Sequence, residues 1–208
     1  MANGKALAGV DLDDAAPLDD GTSALIPSPA PGPVGLDAPS GGAGHHTPSL
    51  GELVVSFARH RHGHRVGDGQ CFALADQALR AANARSAADY GTITSNANYQ
   101  WGTSVSLADL QPGDVIQFRD YTLHRVIVTR ESSQTVTETL DDDRPHHTAI
   151  VESVDGDGGV HVLEQNVPDN GPVTRATLYF QNGTITGGNR TTTITVGGTF
   201  WFYRPAAR

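Results

Sequence analysis

The chain contains one cysteine, Cys71, set in the stretch VGDGQCFALADQALRAANA over residues 66–84. Phe72, Ala75, Leu79 and Ala82 recur there at helical spacing, so the cysteine falls on the first turn of an expected amphipathic helix. Gly67 and Gly69 make a flexible approach, and Asp68 is placed to cap the first turn. A thiol at a helix start sits among unpaired backbone N–H groups at the positive end of the helix dipole, a setting that favours the thiolate. Cys71 is therefore a candidate nucleophile. The alternative is a buried cysteine acting as a small hydrophobe.

A cysteine nucleophile needs a base within hydrogen-bond reach, and the base needs a third group to fix its tautomer. His147 opens the apolar run TAIVESV, while Glu164 and Asn166 end the run VHVLEQN. If the turn DGDGG joins these runs as a hairpin, the start of the first strand lies beside the end of the second, and residues far apart in sequence come into contact. Positions 164 and 166 differ by two and are expected on one face of a strand. An imidazole, a carboxylate and an amide can then converge on one patch, against which the cysteine helix has only to pack. The alternative is a polar hairpin end with no role.

His146 is the rival base, but alternation lets only one of the two neighbouring histidines face the cysteine, and the one opening the TAIV run is favoured. Gln70 precedes the nucleophile and is a candidate oxyanion donor beside the Cys71 backbone N–H. Trp101 and Tyr99 are candidates for a cleft floor or for the core. His60, His62 and His64 alternate and on a strand would share a face, yet they stand among Arg59, Arg61 and Arg65, so no metal site and no cofactor is expected. His124 and His161 are expected on the surface.

The elements that must hold these residues fall into two kinds. Ser49 precedes LGELVVSFARHR, an expected amphipathic helix with Leu50, Leu53, Val54 and Phe57 on one side. From Val115 onward the pattern is β, with expected strands at 115–119, 123–130, 134–140, 147–154, 160–165, 174–180, 191–196 and 199–203. Pro112–Gly113, Asp155–Gly159, Asn170–Gly171 and Asn182–Gly183 mark turns. Helices followed by an antiparallel meander read as α+β.

Residues 1–47 are rich in Ala, Pro, Gly and Asp and read as a disordered leader preceding a domain over 48–208. Of the net charge of −9, this leader carries six Asp against the single Lys5. No basic face for nucleic acid and no membrane span are expected. The opening MANGKALAGVDLDD lacks a hydrophobic signal core, so ordinary signal-peptide export is not expected either, and the compartment stays open. One cysteine excludes an intrachain disulfide framework.

GQCFALA at a helix start, LQPGDVIQF before the β region, HTAIVESV and VHVLEQN together resemble the CHAP family, the cysteine, histidine-dependent amidohydrolases/peptidases, within the papain-like and NlpC-type group. The resemblance covers residues 67–166. It implies a papain-like α+β fold, Cys71 as nucleophile, His147 as general base and acid, Glu164 as the residue orienting His147, and Asn166 as an auxiliary polar group. It also implies amide cleavage in peptidoglycan peptides; a monomer is expected, and an immunity or secretion partner is a further expectation. Acyl transfer or side-chain deamidation at the same site, and a catalytically idle peptide-binding module, are the alternatives. The segment between Phe118 and His147 is longer than the family pattern and is expected to form an inserted hairpin, about residues 119–146, flanking the cleft.

Overall fold

In the computed structural model, which describes residues 46–208, helix α1 spans Leu50–His60 and helix α2 spans Cys71–Ala81. The leader expected over residues 1–47 lies, but for its last two residues, outside the described part. Ser49 and Glu52 close a capping box on α1: the Ser49 hydroxyl accepts the Glu52 N–H at 3.2 Å and the Glu52 carboxylate accepts the Ser49 N–H at 2.7 Å. The buried face of α1 is Val54, Val55 and Ala58, whereas Leu53 is exposed, so the helix is rotated from the expected stripe. On α2 the expected stripe holds: Ala75, Leu79 and Ala82 are buried and Phe72 packs partly buried against the same cluster. The residue capping α2 is Gln70, not Asp68; Asp68 stands two positions too early and accepts the Gln70 N–H at 3.0 Å in the turn before the helix.

Seven strands follow: β1 (Thr103–Val105), β2 (Val115–Arg130), β3 (Thr135–Val154), β4 (Val160–Glu164), β5 (Thr174–Leu178), β6 (Gly183–Gly187) and β7 (Arg190–Arg204). They form one antiparallel sheet in the order β1-β7-β2-β3-β4-β5, with β6 paired to β7. Three pairs of expected strands are single long strands. Asp120, with φ 53°, and Gly198, with φ 103°, face each other across a bulge where β2 and β7 shift register, so each strand bends there without ending. The short strands β1 and β6 were not expected. β6 is GTITG, which pairs with the similar TTTIT run of β7, and too few of its side chains are apolar to mark a strand by alternation.

The segment 119–146 forms a hairpin, built as the continuation of β2 and β3, paired from Tyr121–Arg144 to Arg130–Thr135 and flanked by β7. β3 therefore runs unbroken from this extension into the stretch that carries His147.

The sheet has a buried cluster on each face. α1 and α2 cover Val115, Ile150 and Leu163 together with Trp101. On the other face Ile116, Phe118, Tyr121, Ala149, Val151 and Val162 lie beneath Leu178 and Phe180. Phe180, just beyond β5, packs 5.6 Å from Tyr121 and 5.2 Å from Phe200, and the Tyr121 hydroxyl donates to the Tyr179 carbonyl at 3.0 Å. Strands distant in the sheet order thus meet, and the sheet curls around its second cluster. Gly113 in the Pro112–Gly113 turn has φ 89° and lies against the Gly51 carbonyl, so a side chain there would strike the α1 backbone. That close approach seats α1 on the start of β2.

Candidate active site

Cross-strand register decides which histidine faces the acid. Phe118 pairs with His147 and Arg119 with His146 across β2 and β3, so the two histidines occupy opposite faces. His147 is buried at 4% exposure, its ring 5.4 Å from that of Phe118. Ala149 pairs with Glu164 across β3 and β4, which puts Glu164 on the His147 face, diagonally adjacent. His146 is turned the other way: its Nε2–H donates to the Ala97 carbonyl at 2.8 Å and its ring rests 5.7 Å from Tyr99.

Pairing of β3 with β4 stops at Ala149–Glu164. Beyond that point β3 has an open edge, and the start of α2 fills it. The Thr148 backbone N–H is directed at Cys71 Sγ, joined by that of Phe72 in the first helical turn, while the His147 imidazole reaches the same sulfur. His147 Nε2 lies 3.0 Å from Glu164 Oε2, although its N–H is not aligned on that oxygen, so the contact is an ion pair rather than a well-directed hydrogen bond. With Nε2 facing the acid, Nδ1 is left to exchange a proton with the thiol.

Glu164 is 1% exposed and is held from a second side by Arg144, whose Nε and Nη2 donate to Oε2 and Oε1 at 3.1 and 2.7 Å. Arg144, itself 5% exposed, also donates to the Asp142 carboxylate and, at 2.7 Å, to the Asp143 carbonyl. Two bonds in a planar fork fix the carboxylate plane as one cannot.

The charges follow from these contacts. Burial pushes the Cys71 thiol up, but the imidazole and the Thr148 and Phe72 N–H groups outweigh it and the net shift is downward. Burial pushes His147 down, yet the thiol and Glu164 together carry it up to about 9. Burial raises Glu164, and the bonds to His147 and Arg144 reverse that, holding it at about 2. Cys71 and His147 titrate as one coupled system in which the thiolate–imidazolium form is favoured.

The approach to Cys71 is clamped by Gln165. This side chain is fully buried; its Oε1 accepts the Val66 N–H at 2.6 Å, and its Nε2 donates to the carbonyls of Val66 at 3.0 Å and Gln70 at 2.9 Å. One residue after Glu164, it ties the loop before the cysteine to the strand end that carries the acid. Gln165→Leu keeps the volume but leaves the buried Val66 N–H unpaired, while the Val66 and Gln70 carbonyls keep their bonds from the Gly69 and Ala73 N–H groups, and we expect a loss of about 2 kcal/mol in urea unfolding. Alkylation of Cys71 in the folded variant should be slower than in the native protein.

Asn166 does not share a strand face with Glu164. β4 ends at Glu164, and Asn166 adopts φ 72°, which takes it off the two-residue alternation. Its Nδ2 donates to Gln70 Oε1 at 3.2 Å and its Oδ1 accepts the Asn170 N–H at 2.6 Å, so it meets the residue before the cysteine rather than His147. Gln70 is exposed, and with its amide oxygen engaged by Asn166 its NH2 group remains a donor. Trp101 is no cleft wall. It is fully buried, donates from Nε1 to Gln117 Oε1 at 3.1 Å and packs 5.2 Å from Phe72, supporting α2 from below.

A cavity of about 520 Å³, lined by Arg144, His146, His147, Asn166, Pro168 and neighbours, opens onto the site. A larger one of about 700 Å³, walled by Leu107, Val154, Val160 and Ile185, includes none of the residues above. Chemistry and not size picks the first. His60, His62 and His64 do not line a strand: His60 ends α1 and donates from Nδ1 to the Ser56 carbonyl at 2.7 Å, while His62 pairs with Val173. Among the described residues no group of three or more His, Cys, Asp and Glu is placed to hold a metal ion, and no helix is long and apolar enough to cross a membrane.

Arg144 and Gln165 are the residues that motif reading missed. Gln165 carried a signal, since alternation sets it opposite Glu164, toward the helices. Arg144 carried none, because it lies in the segment expected to form an inserted hairpin, outside the motifs that carry the resemblance.

No curated protein and no solved structure matches the chain significantly. The model of the AIM3/BBC1 cysteine proteinase-fold domain matches residues 45–188, more than half of the chain and a range that takes in Cys71, His147 and Glu164. A cysteine at a helix start against a histidine-bearing antiparallel sheet agrees with a papain-like fold of that kind. The chain belongs to the AIM3/BBC1 cysteine proteinase-fold domain family.

Proposed function

We propose that residues 48–208 form a cysteine-dependent amidase or peptidase domain. The observation that carries this reading is the contact of the only cysteine, at a helix start, with a buried imidazole that in turn faces a buried carboxylate. Cys71 attacks the amide carbonyl as the thiolate, and its proton resides on His147. The tetrahedral oxyanion is met by the Cys71 backbone N–H at the start of α2 and by the Gln70 amide, which Asn166 orients. His147 then protonates the leaving amine, giving the thioester, and afterwards takes a proton from the water that hydrolyses it. Glu164 keeps Nε2 protonated and the ring in place.

The substrate class that fits this reading is a peptide amide, with the CHAP-like motifs favouring peptidoglycan stem peptides. Purified protein is to be incubated with peptidoglycan fragments and, separately, with a generic protein substrate. New amino termini from the first support the reading in full, and release from the second alone supports a peptidase with another substrate. Neither peptides nor ammonia from either would overturn it.

A further inference from the structure

Arg144 is a buried cation at a site whose proposed chemistry does not call for one. Its Nε and His147 Nε2 both reach Glu164 Oε2, at 3.1 and 3.0 Å, so guanidinium and imidazolium share one carboxylate oxygen and lie within about 6 Å of each other, the range over which like charges oppose one another. Its second nitrogen holds Glu164 Oε1, and its remaining arm is bound to Asp142. We propose that Arg144 is a positioning residue of this site: it fixes the Glu164 carboxylate by a two-pronged grip and draws off part of its negative charge, so that the imidazolium is held less tightly and can give up its proton. This rests on the reading of Cys71 and His147 as an ion pair.

A carboxylate alone beside a buried imidazolium is a strong trap for the proton that the leaving amine must receive. Sharing that carboxylate with a permanent cation weakens the trap without moving the acid, because Arg keeps its charge throughout the accessible pH range. The groups facing His147 are then Cys71 from α2, Glu164 from β4, Arg144 from its own strand with Asp142 behind it, and the uncharged Phe118 ring from β2. Removing the cation should raise the pH at which the imidazolium is lost. Removing Asp142, which competes with Glu164 for the same guanidinium, should lower it.

The test is alkylation of Cys71 by iodoacetate as a function of pH. With one cysteine the label is unambiguous, and the anionic reagent reacts fastest with the thiolate–imidazolium form, so the rate falls when the imidazolium deprotonates. The full chain is compared with Arg144→Met and with Asp142→Asn, a half-exposed position whose change spares the core. We expect the basic limb to move up by about one pH unit in Arg144→Met and down by a smaller amount in Asp142→Asn. A merely structural arginine would lower the rate and leave the limb in place. Limbs unmoved in both variants, or moved in the same direction, overturn the proposal while leaving the ion pair standing. If Arg144→Met does not fold, an unmoved limb in Asp142→Asn overturns it alone. A native protein with a single sigmoid near the free thiol value of about 8.5 sinks the ion-pair reading itself.

Discussion

Cys71→Ser and His147→Ala are each expected to reduce turnover by at least about 10³-fold, because nucleophile and base act as a unit and either loss removes the same step. Serine at position 71 keeps a hydrogen-bonding group at the helix start but has no ionised form near neutral pH, so the contacts to Thr148 and His147 survive and the chemistry does not. His147→Ala leaves Glu164 bound to Arg144, so no uncompensated buried charge is created and the fold should persist. His146→Ala is the control: its ring is spent on the Ala97 carbonyl on the opposite face, and turnover should fall by less than about tenfold. The measurement is the rate of amine release with circular dichroism of each variant. A silent His147→Ala beside an inactivating His146→Ala would show that the wrong face had been assigned to the chemistry.

The second large effect concerns pH. The His147 pKa is raised to about 9, so the imidazolium persists at every pH below that value and disappears above it. The Cys71 pKa is lowered, so the thiolate persists at every pH above its shifted value and disappears below it. Both partners are charged only between the two titrations. The profile of kcat/KM should therefore be a bell, with an acid limb below the ordinary thiol range and a basic limb near 9. Glu164→Gln removes the anion that holds the imidazolium, so the basic limb should move down by about one unit or more while a small residual rate remains. Measuring kcat/KM from pH 4 to pH 10 in both proteins decides the matter. A bell whose basic limb is the same in both would mean that Glu164 does not act on His147.

The chain order of the candidate site was legible because it rests on local rules. A single cysteine at the onset of a 3.6-residue period needs no tertiary knowledge to be placed on the first turn of a helix. Strict alternation chose His147 over His146, and a glycine-rich turn brought the end of VHVLEQN back beside HTAIV. The same rules failed where the backbone leaves regular geometry. The left-handed turn at Asn166 broke the alternation that had put it beside Glu164, and the bulge at Asp120 and Gly198 let β2 and β7 bend where local signals ended a strand.

What the sequence by itself determined was the convergence of Cys71, His147 and Glu164 on one site and the two helices and meander that carry them, since each follows from residue type and spacing within a few turns of chain. What only the tertiary structure decided was the environment of the acid and of the cysteine loop. Arg144 grips Glu164 from 20 positions away and Gln165 holds Val66 across 99. Such contacts depend on how a sheet curls and where a strand stops pairing, and these are settled by packing over the whole domain rather than by any pattern within one segment.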